Sequence, residues 1–205
     1  MLDEAAYSFD DLPAQRALVR QYPWALLVSG QGAQAPRVSP VSVLVDEAAP
    51  DLTLLSHLAK PDAAAHALGE RPVTLVVQGP FGYISPAWYG PGPYVPTCDY
   101  MTIHVSGRPE LLDEAATFEV IRRTAEQFEA ARPQPWDIAP VAPLARRITR
   151  LTTGFRLRPA KVQAKAKLSQ DKPPEVVARV IERLRDPAEP YANEVLARAI
   201  AAWNS

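Results

Sequence analysis

The sequence predicts an α+β, mainly β protein, an antiparallel β-barrel with peripheral helices and a C-terminal helical segment. Three observations predict it. Short apolar runs of strand length, several alternating with period two, recur from residue 24 to residue 162 between Pro, Gly and Asp turns. Helical periodicity is inserted late and at the end, so strands and helices do not alternate as a doubly wound parallel sheet requires. Proline supplies 22 of 205 residues, roughly double its usual share. Strands so often broken by proline leave edges that barrel closure removes.

The elements follow in order. Leu12 to Tyr22 carries helical spacing at Leu12, Gln15, Leu18 and Val19, with Pro13 near the start and Pro23 as the stop. Trp24 to Ser29 is a compact apolar run closed by Gly30-Gln-Gly32, and Arg37 to Val45 alternates with a break at Pro40, so the two predict a hairpin. Leu52 to Leu58 reads as a third strand, and Lys60 to Gly69 as a short Ala-rich helix closed by glycine. Val73 to Gln78 is a fourth strand, extended through Pro80 to Ser85 as a bulged edge. A Pro, Gly and aromatic loop runs from Ser85 to Thr97. Asp99 to Leu111 predicts one long strand, and Asp113 to Ala131 a helix with its stripe at Phe118, Ile121, Ala125 and Phe128. Arg132 to Pro143 predicts a loop or crossover, and Leu151 to Val162 the last barrel strand. Pro174 to Leu184 and Tyr191 to Trp203 predict two closing helices. The expectation is one domain over residues 1–205, with about six or seven strands, a barrel at about 23–165 and helices at about 172–203.

A net charge of -1 gives no overall reason for a nucleic-acid backbone or an anionic membrane as the main partner. A single cysteine, Cys98, forms no intrachain disulfide, and the acidic N-terminus (Asp3, Glu4, Asp10, Asp11) is unlike a signal peptide, so the expectation is a soluble, unprocessed, cytoplasmic chain. Nucleophile-elbow, P-loop, zinc-protease and dinucleotide fingerprints do not occur. His57, His66 and His104 lack metal-ligand spacing, so no metal site is expected.

Three segments bear on function. Ser56, His57 and Lys60 mark a strand end meeting a helix start, where free backbone N–H groups and a lysine suit a phosphate monoester or make an ordinary turn. Trp88, Tyr89, Tyr94 and Tyr100 crowd a rigid loop, as in a ligand pocket, a dimer contact or the cover of a barrel end. Arg146, Arg147, Arg150, Arg156, Arg158, Lys161, Lys165 and Lys167 follow one another with no acid between them. Such a run suits nucleic acid or an anionic cofactor, or a solvated face paired with acids from elsewhere.

At these segments the chain resembles the PaiB-type FMN-binding negative transcriptional regulators, whose flavin-binding split barrel is shared with pyridoxamine phosphate oxidases. The likeness is carried by His57-Leu-Ala-Lys60, Gln78-Gly-Pro, Tyr83-Ile-Ser-Pro-Ala-Trp-Tyr89, Val95-Pro-Thr97, Tyr100, His104-Val-Ser-Gly107, Gly154-Phe155 and Lys167-Leu-Ser-Gln170. It implies a split barrel forming a homodimer with FMN at the subunit interface. By that analogy Arg37, Ser39 and Val41 run under the isoalloxazine, Ser56, His57 and Lys60 meet the phosphate and ribityl chain, Gln78 reaches the ring's polar edge, and Trp88, Tyr89 and Thr97 close the pocket. The family's Trp-Asn after Val-Pro-Thr is replaced by Cys98-Asp99, its His-Ile-Pro by Val38-Ser-Pro40, and its Asn-Pro by Asp62-Ala63.

The functions implied are FMN binding with a weak flavin-dependent oxidoreductase activity, and transcriptional regulation. DNA binding has no helix-turn-helix or zinc module behind it, and only the basic run as a surface. The alternatives are an interaction protein that has lost its flavin, and a split barrel holding haem through His57 or His104. No catalytic acid or base is named by the sequence.

Overall fold

The computed structural model describes residues 4–32 and 34–204; Asp3, counted above in the acidic N-terminus, lies outside them. Helix α1 (Leu12–Gln21) starts where the Asp11 carboxylate accepts the Ala14 N–H at 3.0 Å, and it buries Gln15, Leu18 and Val19 as its spacing predicts. Strands β1 (Trp24–Gln31) and β2 (Gln34–Val45) form the expected antiparallel hairpin around Gly32, whose φ of +65° favours glycine. Pro40 does not break β2: it sits opposite Leu26 in unbroken register. Strand β3 (Leu54–Ala59) pairs with β2 only from Val43 to Val45, so at Pro40 the missing N–H is withheld from no third strand. Helix α2 (Lys60–Ala65) follows β3 directly and is shorter than expected, ending in turns at His66 and Gly69.

Strand β4 (Val73–Ile84) is continuous through Pro80, and β1 pairs with it only over Val73–Val77. The expected long strand after the aromatic loop is two, β5 (Thr97–Gly107) and β6 (Pro109–Leu111). The division falls where Gly107 abuts the backbone: a Cβ there would lie 2.3 Å from the Arg158 carbonyl oxygen. Helix α3 (Glu114–Glu129) is capped by Asp113 but faces the core with Thr117 and Val120, one position off the predicted stripe, and Phe128 is 49% exposed. The rotation has a cause: Gly154 has no side chain, so the helix settles with Thr117 on it and the Gly154 N–H donates to Thr117 Oγ1 at 3.2 Å.

The expected loop ends in a helix, α4 (Ala142–Thr149), preceded by a 3-10 turn at Ala139–Val141. Pro140 and Pro143 stand in the first turns of these two elements, where a missing N–H costs nothing. The expected last strand is also two, β7 (Thr152–Leu157) and β8 (Lys161–Lys167), so eight strands occur among the described residues. Helices α5 (Pro174–Arg185) and α6 (Glu194–Trp203) close the chain. The sheet order is β6-β7-β3-β2-β1-β4-β5-β8, and the pairings β6·β7, β7·β3, β3·β2, β2·β1 and β1·β4 are antiparallel.

The chain forms two compact units. One comprises Asp10–Val77 and Ile103–Gln163, with a core of Leu27, Val43, Leu54, Leu75, Phe155 and Leu157. The other gathers the segment up to Phe9, Gln78–Thr102 and the chain from Ala164 on, with Ile84, Leu168, Val180, Leu184, Leu196 and Ile200 buried. Among the described residues no helix is long and apolar enough to cross a membrane.

Candidate functional site

In the larger unit the predicted residues gather on β2, β3 and α2. Ser56 is buried and donates its hydroxyl to the Ser42 carbonyl at 2.6 Å, tying β3 to β2. His57 is half-buried, its pKa lowered by burial, and its Nδ1 has no hydrogen-bond partner among the described residues. Lys60 opens α2 with its side chain exposed. The helix start offers less than the sequence suggests, because the Lys60 N–H donates to the Leu151 carbonyl at 2.9 Å and Pro61 has no N–H. Val41 is buried inside the sheet; Arg37 is exposed and Ser39 half-buried on the same β2 face.

His66 joins them without having been predicted. It is fully buried at the end of α2, with Nδ1 2.7 Å from Ser29 Oγ and Nε2 3.0 Å from Ser39 Oγ. Burial and then the Arg37 charge lower its pKa, against the opposing Asp62. No spacing in the sequence marks it; its only signal is its place at the end of the helix that Lys60 opens.

The remaining predicted residues lie in the smaller unit. Gln78 is exposed on β4. Trp88 and Tyr89 are 5% and 2% exposed, so these aromatics are core. Ser85 caps their 3-10 turn, and Arg179 on α5 donates to the Tyr89 carbonyl at 2.5 Å. Thr97 accepts from Lys167 Nζ, which also donates to the Cys98 carbonyl at 2.8 Å and the Asp99 carboxylate at 3.4 Å. Asp99 is 1% exposed and accepts the Ser169 hydroxyl at 2.6 Å. Burial nevertheless raises its pKa, outweighing Ser169 and Lys167. Gln170 completes the motif by accepting the Leu168 N–H and donating to the Ala166 carbonyl, both at 2.6 Å.

Five of the eight cations of the basic run pair with acids from elsewhere. Arg150 pairs with Glu114, Arg156 with Asp46, Arg158 with Glu110, Lys165 with Glu4 and Lys167 with Asp99. Arg146 lies over the Phe118 ring at 4.7 Å.

Residues 1–161 match the family model described as "Putative FMN-binding domain". The chain belongs to this FMN-binding domain family. FMN is the cofactor that membership in the FMN-binding domain family assigns to it. The chain is 30% identical over 125 residues to the Bacillus subtilis "Protease synthase and sporulation protein PAI 2", a match covering 60% of this chain and 59% of that relative. Among solved structures, the flavocytochrome Anf3 from Azotobacter vinelandii has a TM-score of 0.63 at 17% identity, over 87% of this chain and 78% of that one. The FAD and heme binding protein from Mycobacterium smegmatis has a TM-score of 0.59 at 15% identity, over 84% and 79%. These likenesses establish the split-barrel fold.

The residues present fit a phosphorylated flavin. Arg37 and Lys60 are exposed cations with no carboxylate partner among the described residues, and His57 keeps a buried ring nitrogen unpaired. Two cations and a free imidazole nitrogen are the donor chemistry a phosphate dianion needs.

Proposed function

We propose that the chain is a homodimeric FMN-dependent oxidoreductase, with the phosphate and ribityl chain held by Lys60, His57 and Arg37. The observation that carries the reading is that Arg37 on β2 and Lys60 at the start of α2 are exposed without a carboxylate partner among the described residues, while His57 on β3, turned to the opposite sheet face from Arg37 by the Val43–Ser56 register, keeps Nδ1 unpaired. When bound, FMN supplies one- and two-electron redox chemistry; the protein supplies orientation and hydrogen bonds. Lys60 and Arg37 place positive charge against the phosphate. His66, held neutral by burial, fixes Ser39 on the β2 face where the ring is expected.

The homodimer is supported by an apolar sheet face on β1 and β2. Trp24, Leu26 and Val38 are 60%, 36% and 51% exposed there, and Leu26 stands opposite Pro40 and Val28 opposite Val38. Side chains of this size left in water on one sheet face are the mark of a self-complementary interface. Regulation of transcription is suggested by the family resemblance, and in the basic run five of eight cations are paired with acids, which weakens that stretch as a DNA surface.

The test is titration of the purified protein with FMN, following flavin fluorescence, for wild type and Lys60→Ala. Saturable binding weakened at least tenfold by the substitution is the expected result. Absence of FMN binding, or a Soret band on adding hemin with no flavin uptake, overturns the reading in favour of an interaction protein or a haem barrel.

A further inference from the structure

The corner of the larger unit where β5 gives way to β6 gathers four exposed cations from separate segments, Arg71, Arg108, Arg158 and Lys161. Pro109 pairs with Leu157, so Arg108, just before β6, and Arg158, just after β7, stand opposite each other. Alternation turns Arg108 to the side of Glu110 and Arg158 to the side of Arg156, and Glu110 and Arg156 are themselves a register pair, so the two arginines share one face. Each is followed by a proline, Pro109 and Pro159, which holds the arginine backbone extended. Lys161 is brought in by the Ala160 N–H, which donates to the Ser106 carbonyl at 2.8 Å. Arg71 arrives on the turn before β4: the Thr74 and Ser106 hydroxyls lie 2.8 Å apart, and a Cβ on Gly69 would lie 3.0 Å from Leu111 Cγ on β6.

These charges are poorly matched by acids. Arg71, Arg108 and Lys161 have no hydrogen-bond or ion-pair partner among the described residues. Arg158 meets only Glu110, at 3.7 Å, and Glu110 also faces Arg156 at 3.8 Å. Glu70 is the other acid of these segments, and Arg156 is held separately by Asp46 at 3.0 Å. Like charges directly opposite on paired strands destabilise a sheet, so an anion between Arg108 and Arg158 offsets a cost the fold otherwise bears. A guanidinium fork matches phosphate oxygens bidentately, and one arginine pair is enough for a single phosphate. Two further cations beside the pair suit a second, linked phosphoryl group. Segments 69–72, 106–110 and 157–161 contain no aromatic residue, so the corner offers charge and no platform for a base.

We infer that Arg71, Arg108, Arg158 and Lys161 form a binding site for linked phosphates, the chemistry of a di- or triphosphate. The site lies apart from the flavin phosphate corner and does not rest on the flavin reading. Strands β3 and β7 pair from Leu54–Leu157 to Ala59–Thr152, so Lys60 follows the end of the pair opposite to Arg158, about 17 Å away along the strands.

Isothermal titration with tripolyphosphate as the probe, at low salt and without divalent metal, tests it, with orthophosphate and citrate as comparators. Tripolyphosphate is expected to bind saturably, one per chain and about tenfold tighter than either comparator. Arg108→Gln and Lys161→Gln are each expected to weaken it about threefold or more, and Glu110→Gln to tighten it. Arg108→Gln should melt no lower than wild type, since its side chain has no partner to lose, and should take up FMN as wild type does. ATP binding as tightly as tripolyphosphate supports the site and assigns recognition to the phosphates alone; tighter ATP binding supports it and assigns the ligand to the nucleotides. The inference is overturned if tripolyphosphate gives no saturable heat, if citrate binds equally well, or if both cation variants bind as wild type does. Loss of tripolyphosphate binding in Lys60→Ala also overturns it, because the phosphates would then sit in the flavin corner.

Discussion

At the scale of single residues, burial decides which polar groups matter. His57, His66 and His104 are all held below the ordinary histidine value by burial. A depressed folded pKa means that protonation favours the unfolded chain, so this share of stability is present above about pH 6.5 and is lost as pH falls through the lowered values. Thermal melts between pH 8 and pH 5 should show a falling midpoint below about pH 6.5, and His66→Gln should flatten it; a midpoint independent of pH over that range contradicts the assignment. Asp99 has the opposite sign: its raised pKa shows that the fold disfavours the ionised form. Asp99→Asn should therefore melt no lower than wild type at pH 7, whereas Asp99→Ala, which leaves Ser169 without its acceptor, should melt lower. The strand-to-helix junction at His57 and Lys60 was legible in the sequence, because an apolar run ends there and Pro61 opens an Ala-rich helix. His66 was not, because its meaning comes from Ser29 and Ser39, which are 37 and 27 positions away.

At the scale of elements, the motifs that carry the family likeness divide into chemistry and construction. Gly154 lets α3 approach β7: a Cβ there would meet Thr117 Oγ1 at 2.6 Å and Thr117 Cα at 3.0 Å. Gly154→Ala should destabilise by about 1–3 kcal/mol, read by urea denaturation, since the clash involves backbone as well as side chain. The Lys167-Leu-Ser-Gln170 motif is a clamp, with Lys167 and Ser169 gripping the start of β5 and Gln170 closing its own turn. Helix α3 offers a simpler case: Asp113 accepts the Ala116 N–H at 2.7 Å, and Asp113→Ala should cost about 1 kcal/mol by the same measurement. Local signals located the starts of α1, α3 and α5. They merged β5 with β6, because that break depends on a distant backbone contact at Gly107, and merged β7 with β8 although Pro159 lies between them. The α3 stripe was misplaced by one position for a related reason, since the absence of a side chain at Gly154 is invisible from within the helix.

At the scale of the whole molecule, the split barrel and its cofactor family were legible because alternation, proline content and the ordered motifs agree with one another. The electrostatic role of the basic run was not, since Glu114, Asp46, Glu110 and Glu4 come from distant segments to pair with it. Surface pairs of this kind add little stability but cancel the field a nucleic acid would feel. The exposed β1–β2 face predicts that light scattering will give twice the chain mass, and that Trp24→Glu will shift the species toward the monomer. The central claim is that Arg37, His57 and Lys60 form the phosphate end of an FMN site, and the most direct measurement compares FMN with riboflavin in equilibrium titrations of wild type and Lys60→Ala. The account predicts that wild type binds FMN much more tightly than riboflavin and that the substitution removes most of that difference. Equal affinity of wild type for the two flavins would contradict it.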